Sequence, residues 1–192
     1  MIRRFLHPCP HHCGALDPPA VYRDVSFAEQ VSPDQVHLLA VLEPLVPAGA
    51  RLLHVGVGAS AVARQLSPRV AWIEGITVVQ AEVAAAPPLA NYRVSMVNKY
   101  GPGLGTLPGP FDVVVDNNPG SFACCRAHFS GMMDHYARLL APGGRLVTEA
   151  RGARWSQVGG ITLRWRHWRA EGRSRGLSAE KLDSTVWALR RR

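Results

Sequence analysis

The sequence predicts an α/β fold: a three-layer sandwich around a mostly parallel seven-stranded sheet, with an antiparallel hairpin at one edge. Three observations carry this. Between Arg51 and Thr148, near-continuous apolar runs of strand length alternate with helix-forming segments, the pattern of strands covered on both faces. A Gly-Val-Gly turn, Gly56 to Gly58, follows the first of these runs. Two last strand-like runs lack a clear crossover helix between them, so they are expected to pair antiparallel.

The elements follow in chain order. Residues 1 to about 20 are Pro-rich and irregular, ending in Asp17-Pro18-Pro19. Ser32-Pro33-Asp34 then reads as a helix start, with Ser as N-cap, Pro at the first position and Asp in the first turn. That helix carries Leu38, Leu39, Val41, Leu42 and Leu45 at helical spacing and ends near Pro47 and Gly49. Leu52 to Val57 is an apolar strand, Ala59 to Leu66 a short helix, and Val70 to Val79 contains the second strand. Gln80 to Ala86 is a helix stopped by Pro87-Pro88, and Tyr92 to Val97 is the third strand. "FDVVVD", Phe111 to Asp116, is the fourth strand. His128 to Leu140 is a helix with Met132, Met133, Tyr136 and Leu139 inward. Ala141-Pro142-Gly143-Gly144 is a turn before the fifth strand, Arg145 to Thr148. Ile161 to Trp168 and Ser184 to Leu189 complete the sheet as the edge pair.

Bulk properties narrow the class. The 192 residues suit one full core, and 47% hydrophobic with 19% charged residues reads as an ordinary soluble globular protein. No apolar run is long enough to span a bilayer. Met1-Ile2-Arg3-Arg4 begins like a signal peptide, but His7, Pro8 and Pro10 interrupt it, so a cytoplasmic protein is expected. The net charge of +8 comes almost wholly from arginine, since Lys99 and Lys181 are the two lysines. The cluster Arg164, Arg166, Arg169, Arg173, Arg175 and Arg190 to Arg192 is read as a solvated basic face or tail rather than a polyanion site. Cys9, Cys13, Cys124 and Cys125 are expected to stay reduced. The ligands of "CPHHC" (Cys9, His11, His12, Cys13) are packed too tightly to enclose one tetrahedral ion together, so no metal is assigned. Cys124 and Cys125 are read as helix packing.

A Gly-x-Gly turn after a first strand lets backbone approach a ligand closely. With Ala61 as the third small residue, a dinucleotide remains a formal possibility. The wider order "LLHVGVG", "IEGITVVQAE", "YRVSMVNKY", "FDVVVDNN" and "YARLLAPGGRLV" resembles the class I S-adenosylmethionine-dependent methyltransferases, a Rossmann-like family, over Arg51 to Arg192. The resemblance implies S-adenosyl-L-methionine as cofactor. It implies that Gly56, Gly58 and Ser60 contact the amino-acid end, on a strand where His54 replaces an acid. Thr77, with Val78 beside it, takes the place of the ribose-binding acid, and Gln80 or Glu82 is expected to serve the sugar instead. Asn98 stands for the usual Asp near the adenine amine, with Lys99 and Tyr100 beside it. Asp116, Asn117 and Asn118 lie at the mouth, and Asp116 is expected to accept from the cofactor's ammonium group. His54 is open to a second reading as a satisfied strand histidine.

"VYRDVSFAEQ", Val21 to Gln30, resembles the N-terminal lid of small-molecule methyltransferases, so residues 1–50 form a lid segment and 51–192 the cofactor domain. Tyr22 and Phe27 would close over the sulfonium. Asp116, Asn117, Asn118 and Tyr22 are the catalytic candidates. With little chain left for a separate substrate domain, the expected reaction is methyl transfer to a small molecule, as in secondary metabolism. The alternative is non-methyl use of the same cofactor: intramolecular cyclisation to azetidine-2-carboxylate with release of methylthioadenosine, or aminocarboxypropyl transfer. A nucleic-acid enzyme is disfavoured, because "DNNPGSF" lacks the second Pro and the aromatic of the Asn-Pro-Pro-Tyr loop. An inactive binding protein and a homodimer are left open.

Overall fold

The structure, a computed structural model, describes residues 29–123, 125–155 and 161–192. The chain runs α1 (Pro33–Leu42, prolonged by a 3-10 turn, Glu43–Leu45), β1 (Arg51–Val55), α2 (Ala61–Leu66), β2 (Trp72–Thr77), α3 (Gln80–Ala84), β3 (Tyr92–Met96) and β4 (Phe111–Asp116). It continues α4 (Arg126–Leu139), β5 (Leu140–Glu149), α5 (Ala150–Arg154), α6 (Trp165–Arg173), β6 (Ser178–Lys181) and β7 (Val186–Arg190). The sheet has seven strands in the order β3-β2-β1-β4-β5-β7-β6. The first five are parallel, and β7 runs antiparallel to both β5 and β6. Sheet order reverses beside β1, which is where an open α/β sheet forms a crevice at the carboxyl ends of its strands.

Strand pleating divides the core into two layers. Leu52, Val113, Val115 and Val147 pack with Leu38, Leu39 and Leu42 of α1 on one face. Leu53, Val55 and Val114 pack with Phe129, Met133 and Tyr136 of α4 and Trp168 of α6 on the other. Successive residues of a strand face opposite ways, so His54 shares the α1 face with Leu52. Helix α1 starts as its sequence suggests: Ser32 and Gln35 form a capping box, with Gln35 Oε1 accepting from the Ser32 N–H at 3.1 Å.

Two expectations are corrected. Ile161 to Trp168 is not a strand. Ile161 and Leu163 alternate inward as extended chain, their N–H groups donating to the carbonyls of Gly120 (2.8 Å) and Ala153 (2.9 Å). From Trp165 the period becomes helical. Trp165 meets Trp187 edge-on and Trp168 is fully buried, while Arg166, Arg169 and Arg173 line the exposed side of α6. The edge hairpin is therefore β6–β7, with α6 ahead of it. The expected turn Ala141 to Gly144 lies within β5, where the pairing with β4 shifts register between Phe111 and Val113 and Gly143 takes φ +77°, as an irregular, bulged strand does. No helix among the described residues is long and apolar enough to cross a membrane. The lid residues Tyr22 and Phe27, the "CPHHC" stretch and Cys124 lie outside the described residues.

Candidate functional site

A cavity of about 500 Å³ opens at the carboxyl ends of β1, β2, β3 and β4. Its walls are completed by the first turns of α1, by residues 116–122 and by α5. The glycine turn forms its floor. Gly56 (φ +68°) and Gly58 (φ +48°) adopt left-handed conformations, and an added Cβ on Gly56 would meet nothing within 4 Å. Backbone conformation, rather than crowding, selects glycine there. The Gly56 N–H donates to the Ile76 carbonyl at 2.8 Å and fixes the turn to β2.

Thr77 ends β2 where an acid was expected to be missing, and the acid arrives from α3. Glu82, buried, accepts the Thr77 hydroxyl at 2.6 Å and the Gly58 N–H at 3.3 Å through Oε2. The Thr77 hydroxyl oxygen also accepts the Val79 N–H at 3.1 Å. One carboxylate thus joins the glycine turn to the end of β2. At the end of β3, Asn98 accepts the Tyr100 N–H at 3.0 Å through its side-chain oxygen.

The end of β4 splits by its pleat. Asp116 turns toward α4. Its two oxygens accept Lys99 Nζ at 3.1 Å each, Oδ2 accepts the Tyr136 hydroxyl at 2.8 Å, and Oδ1 accepts the Asn118 N–H at 3.1 Å. Lys99 also donates to the Asn118 carbonyl at 2.6 Å. Burial pulls the Lys99 ammonium below its ordinary value, with Asp116 opposing, and burial followed by Asp116 pushes the Tyr136 phenol well up. Asn117 turns to the other face. Its amide donates to Asp34 Oδ2 of α1, while its own oxygen accepts the Glu149 N–H at 3.2 Å. Gly152 of α5 packs so closely that a Cβ would lie 2.2 Å from the Asn117 carbonyl oxygen.

His54 sits on the α1 face of the cavity, 4% exposed, and its Nδ1 has no hydrogen-bond partner among the described residues. Burial pulls its imidazole down to about 3, so the ring is neutral at physiological pH. Phe122 and Trp155 line the outer wall as an edge-on pair with centroids 5.6 Å apart.

Of the site residues expected from sequence, His54, Gly56, Gly58, Thr77, Val78, Asn98, Lys99, Tyr100, Asp116, Asn117 and Asn118 all line this cavity. Ser60 does not. It is held in a left-handed conformation ahead of α2, with its hydroxyl 3.0 Å from that of Tyr92. Asp116 is on the cavity wall, but its oxygens already serve Lys99, Tyr136 and Asn118. Asp34, Arg151 and Trp155 were missed. Asp34 read only as a first-turn helix acid, and the other two lie in a segment without a motif.

No protein-family profile matches the chain, and no curated protein sequence matches it. Solved structures do. The N-methyltransferase NodS of Bradyrhizobium japonicum, in complex with S-adenosyl-L-homocysteine, is 17% identical over 91% of this chain and 90% of that one, at a TM-score of 0.62. The amino pentose methyltransferase CalS10 of Micromonospora echinaspora, bound to S-adenosylmethionine, is 19% identical over 90% of this chain and 94% of that one, at 0.57. The SpnF cyclase is 26% identical over 78% of this chain and 60% of that one, at 0.56.

Proposed function

We propose that this chain, whose fold is that of the class I S-adenosylmethionine-dependent methyltransferases, transfers a methyl group from S-adenosylmethionine to a small acceptor. The observation that carries this reading is the cavity at the strand ends, where a left-handed glycine turn and a buried carboxylate converge from β1, β2 and α3. The residues fit the cofactor. The backbone of Gly56 and Gly58 would border its amino-acid end, Glu82 with Thr77 its ribose, and Asn98 its adenine. The unpartnered Nδ1 of His54 is a buried polar atom that a ligand would satisfy. When bound, the cofactor supplies an electrophilic methyl on a sulfonium.

The chain's own part is alignment and exclusion of water. Asp116 is neutralised by Lys99 and fixes the loop from 116 to 121, with the Tyr100 hydroxyl donating to the Pro119 carbonyl at 3.0 Å. Helix α1 and the Phe122–Trp155 pair narrow the opening, which suits a small acceptor. The neighbour CalS10, by its name an amino pentose methyltransferase involved in calicheamicin biosynthesis, supports a small acceptor and a biosynthetic role.

Calorimetric titration with S-adenosylhomocysteine tests the reading. The wild type binds, and Glu82→Ala binds about 30- to 150-fold more weakly, from about 2–3 kcal/mol for a lost charged hydrogen-bonding group. Absence of binding by the wild type would refute it. Mass spectrometry after incubation with S-adenosylmethionine alone checks the chemistry. Methylthioadenosine is expected to be absent, and its release without an acceptor would replace methyl transfer by self-cyclisation.

A further inference from the structure

The carboxylates of the cavity differ in how they are held. The cavity is lined by three carboxylates. Asp116 is matched by Lys99, whose three N–H donors meet both Asp116 oxygens and the Asn118 carbonyl. Glu82 is tied to Thr77 and the glycine turn. Asp34 faces neither. Its Oδ2 is held by the Asn117 amide, and its Oδ1 has no hydrogen-bond partner among the described residues. No ion pair joins it to a base there.

A second, independent feature lies on the same face. His54 lines the same cavity and is more than nine-tenths buried, with its Nδ1 sealed from solvent and without a hydrogen-bond partner among the described residues. Asn117 follows Val113 and Val115 in the β4 pleat, and His54 follows Leu52 in β1. The two strands are paired, so both polar groups stand over the layer that carries α1. Leu38 lies one helical turn beyond Asp34, and Phe122 with Trp155 forms the outer wall.

A fixed carboxylate that lines one cavity with an aromatic pair and an apolar helix face suits a compact organic cation: the carboxylate gains a charge-assisted hydrogen bond and the rings attract the charge. A neutral alcohol can donate one hydrogen bond to the carboxylate but gains neither the ion pair nor the attraction of a cation to the rings. We propose that Asp34, fixed by Asn117, is the acceptor subsite and that the acceptor is a small primary or secondary amine. This rests on the methyl-transfer reading above. The amine docks as an ammonium and releases one proton to solvent. Its nitrogen lone pair then forms the N–C bond to the methyl carbon as the S–C bond breaks, and sulfur keeps that electron pair and becomes a thioether. The product is an N-methylammonium, again a cation opposite Asp34. The neutral His54 adds no opposing charge to this wall.

The test uses the full chain saturated with S-adenosylhomocysteine and two probes matched in shape, cyclohexylamine and cyclohexanol, with affinities read by calorimetry. The amine is expected to bind at least tenfold more tightly than the alcohol. In Asp34→Asn that preference disappears while the affinity for S-adenosylhomocysteine is retained, which shows the variant folded. Equal binding of the two probes by the wild type, or a preference that survives in Asp34→Asn, overturns the amine assignment alone. Failure of the wild type to bind S-adenosylhomocysteine removes the methyl-transfer reading and this one with it.

Discussion

Acid should unfold this protein partly through one residue, His54. The ring lies in β1, 4% exposed, and burial holds its folded-state pKa at about 3 against 6.5 for a free imidazole. Between those values the unfolded chain binds a proton at this position that the folded chain does not. Stability therefore rises with pH across that window. The contribution is complete above pH 6.5 and is lost progressively as pH falls toward 3. From pH 6.5 to pH 4 the loss is about 2.5 pH units at 1.36 kcal/mol each, or about 3 kcal/mol. Urea unfolding followed by tryptophan fluorescence, at pH 7 and pH 4, measures it in the wild type and in His54→Asn. The wild type is expected to lose about 3 kcal/mol more than the variant over that interval, because the other titrating groups are common to both chains. Equal losses would refute the assignment of a buried neutral imidazole at this position.

Lys99→Met leaves the Asp116 carboxylate buried without its cation. Tyr136 and Asn118 still donate to it, so the cost should fall near the low end for a broken buried pair, about 3 kcal/mol. For a chain of this size that lowers Tm by roughly 6–12 °C, and adding Asp116→Asn should recover most of it; calorimetric scans that leave Tm unchanged in Lys99→Met would contradict the ion pair's role. Gly152→Ala drives a methyl group against the Asn117 backbone and is expected to cost about 1–3 kcal/mol in urea unfolding. Gly131→Ala, in α4 with open space at its Cβ position, should instead stabilise by about 0.5–1 kcal/mol. A Gly152→Ala variant as stable as the wild type, or more stable, would show that packing against Asn117 does not oppose substitution there.

Much of the fold was legible because its signals are local. Phe111 to Asp116, apolar but for Asp112 and its last residue, is the observed strand, and Ser32-Pro33-Asp34 begins a helix by capping chemistry alone. The stretch from Ile161 misled because Ile161, Leu163 and Trp165 alternate like a strand, while helical spacing becomes visible only when Trp165 is read with Trp168 and Gly172. At the site, sequence placed the glycine turn and the residues ending β2, β3 and β4. It could not say which way Asp116 faces, since that depends on the pleat and on partners 17 and 20 residues away, Lys99 and Tyr136. Asp34 was illegible as a site residue for the same reason. Its contact with Asn117 spans 83 residues and exists only once α1 lies over the sheet.

The divided end of β4 separates two kinds of change. Residue 116 is committed to the scaffold through Lys99 and Tyr136, while residue 117, one step along the chain, meets the wall where an acceptor would rest. Exchanges at 34 can therefore redirect what the cavity accepts while leaving the buried lock intact, whereas an exchange at 117 also takes the partner from the buried Glu149 N–H. A one-residue slip of β4 would undo that division. It would bring the charge meant for the lysine under α1 and the amide under α4, so strand register, more than any single side chain, keeps selectivity and stability on separate faces.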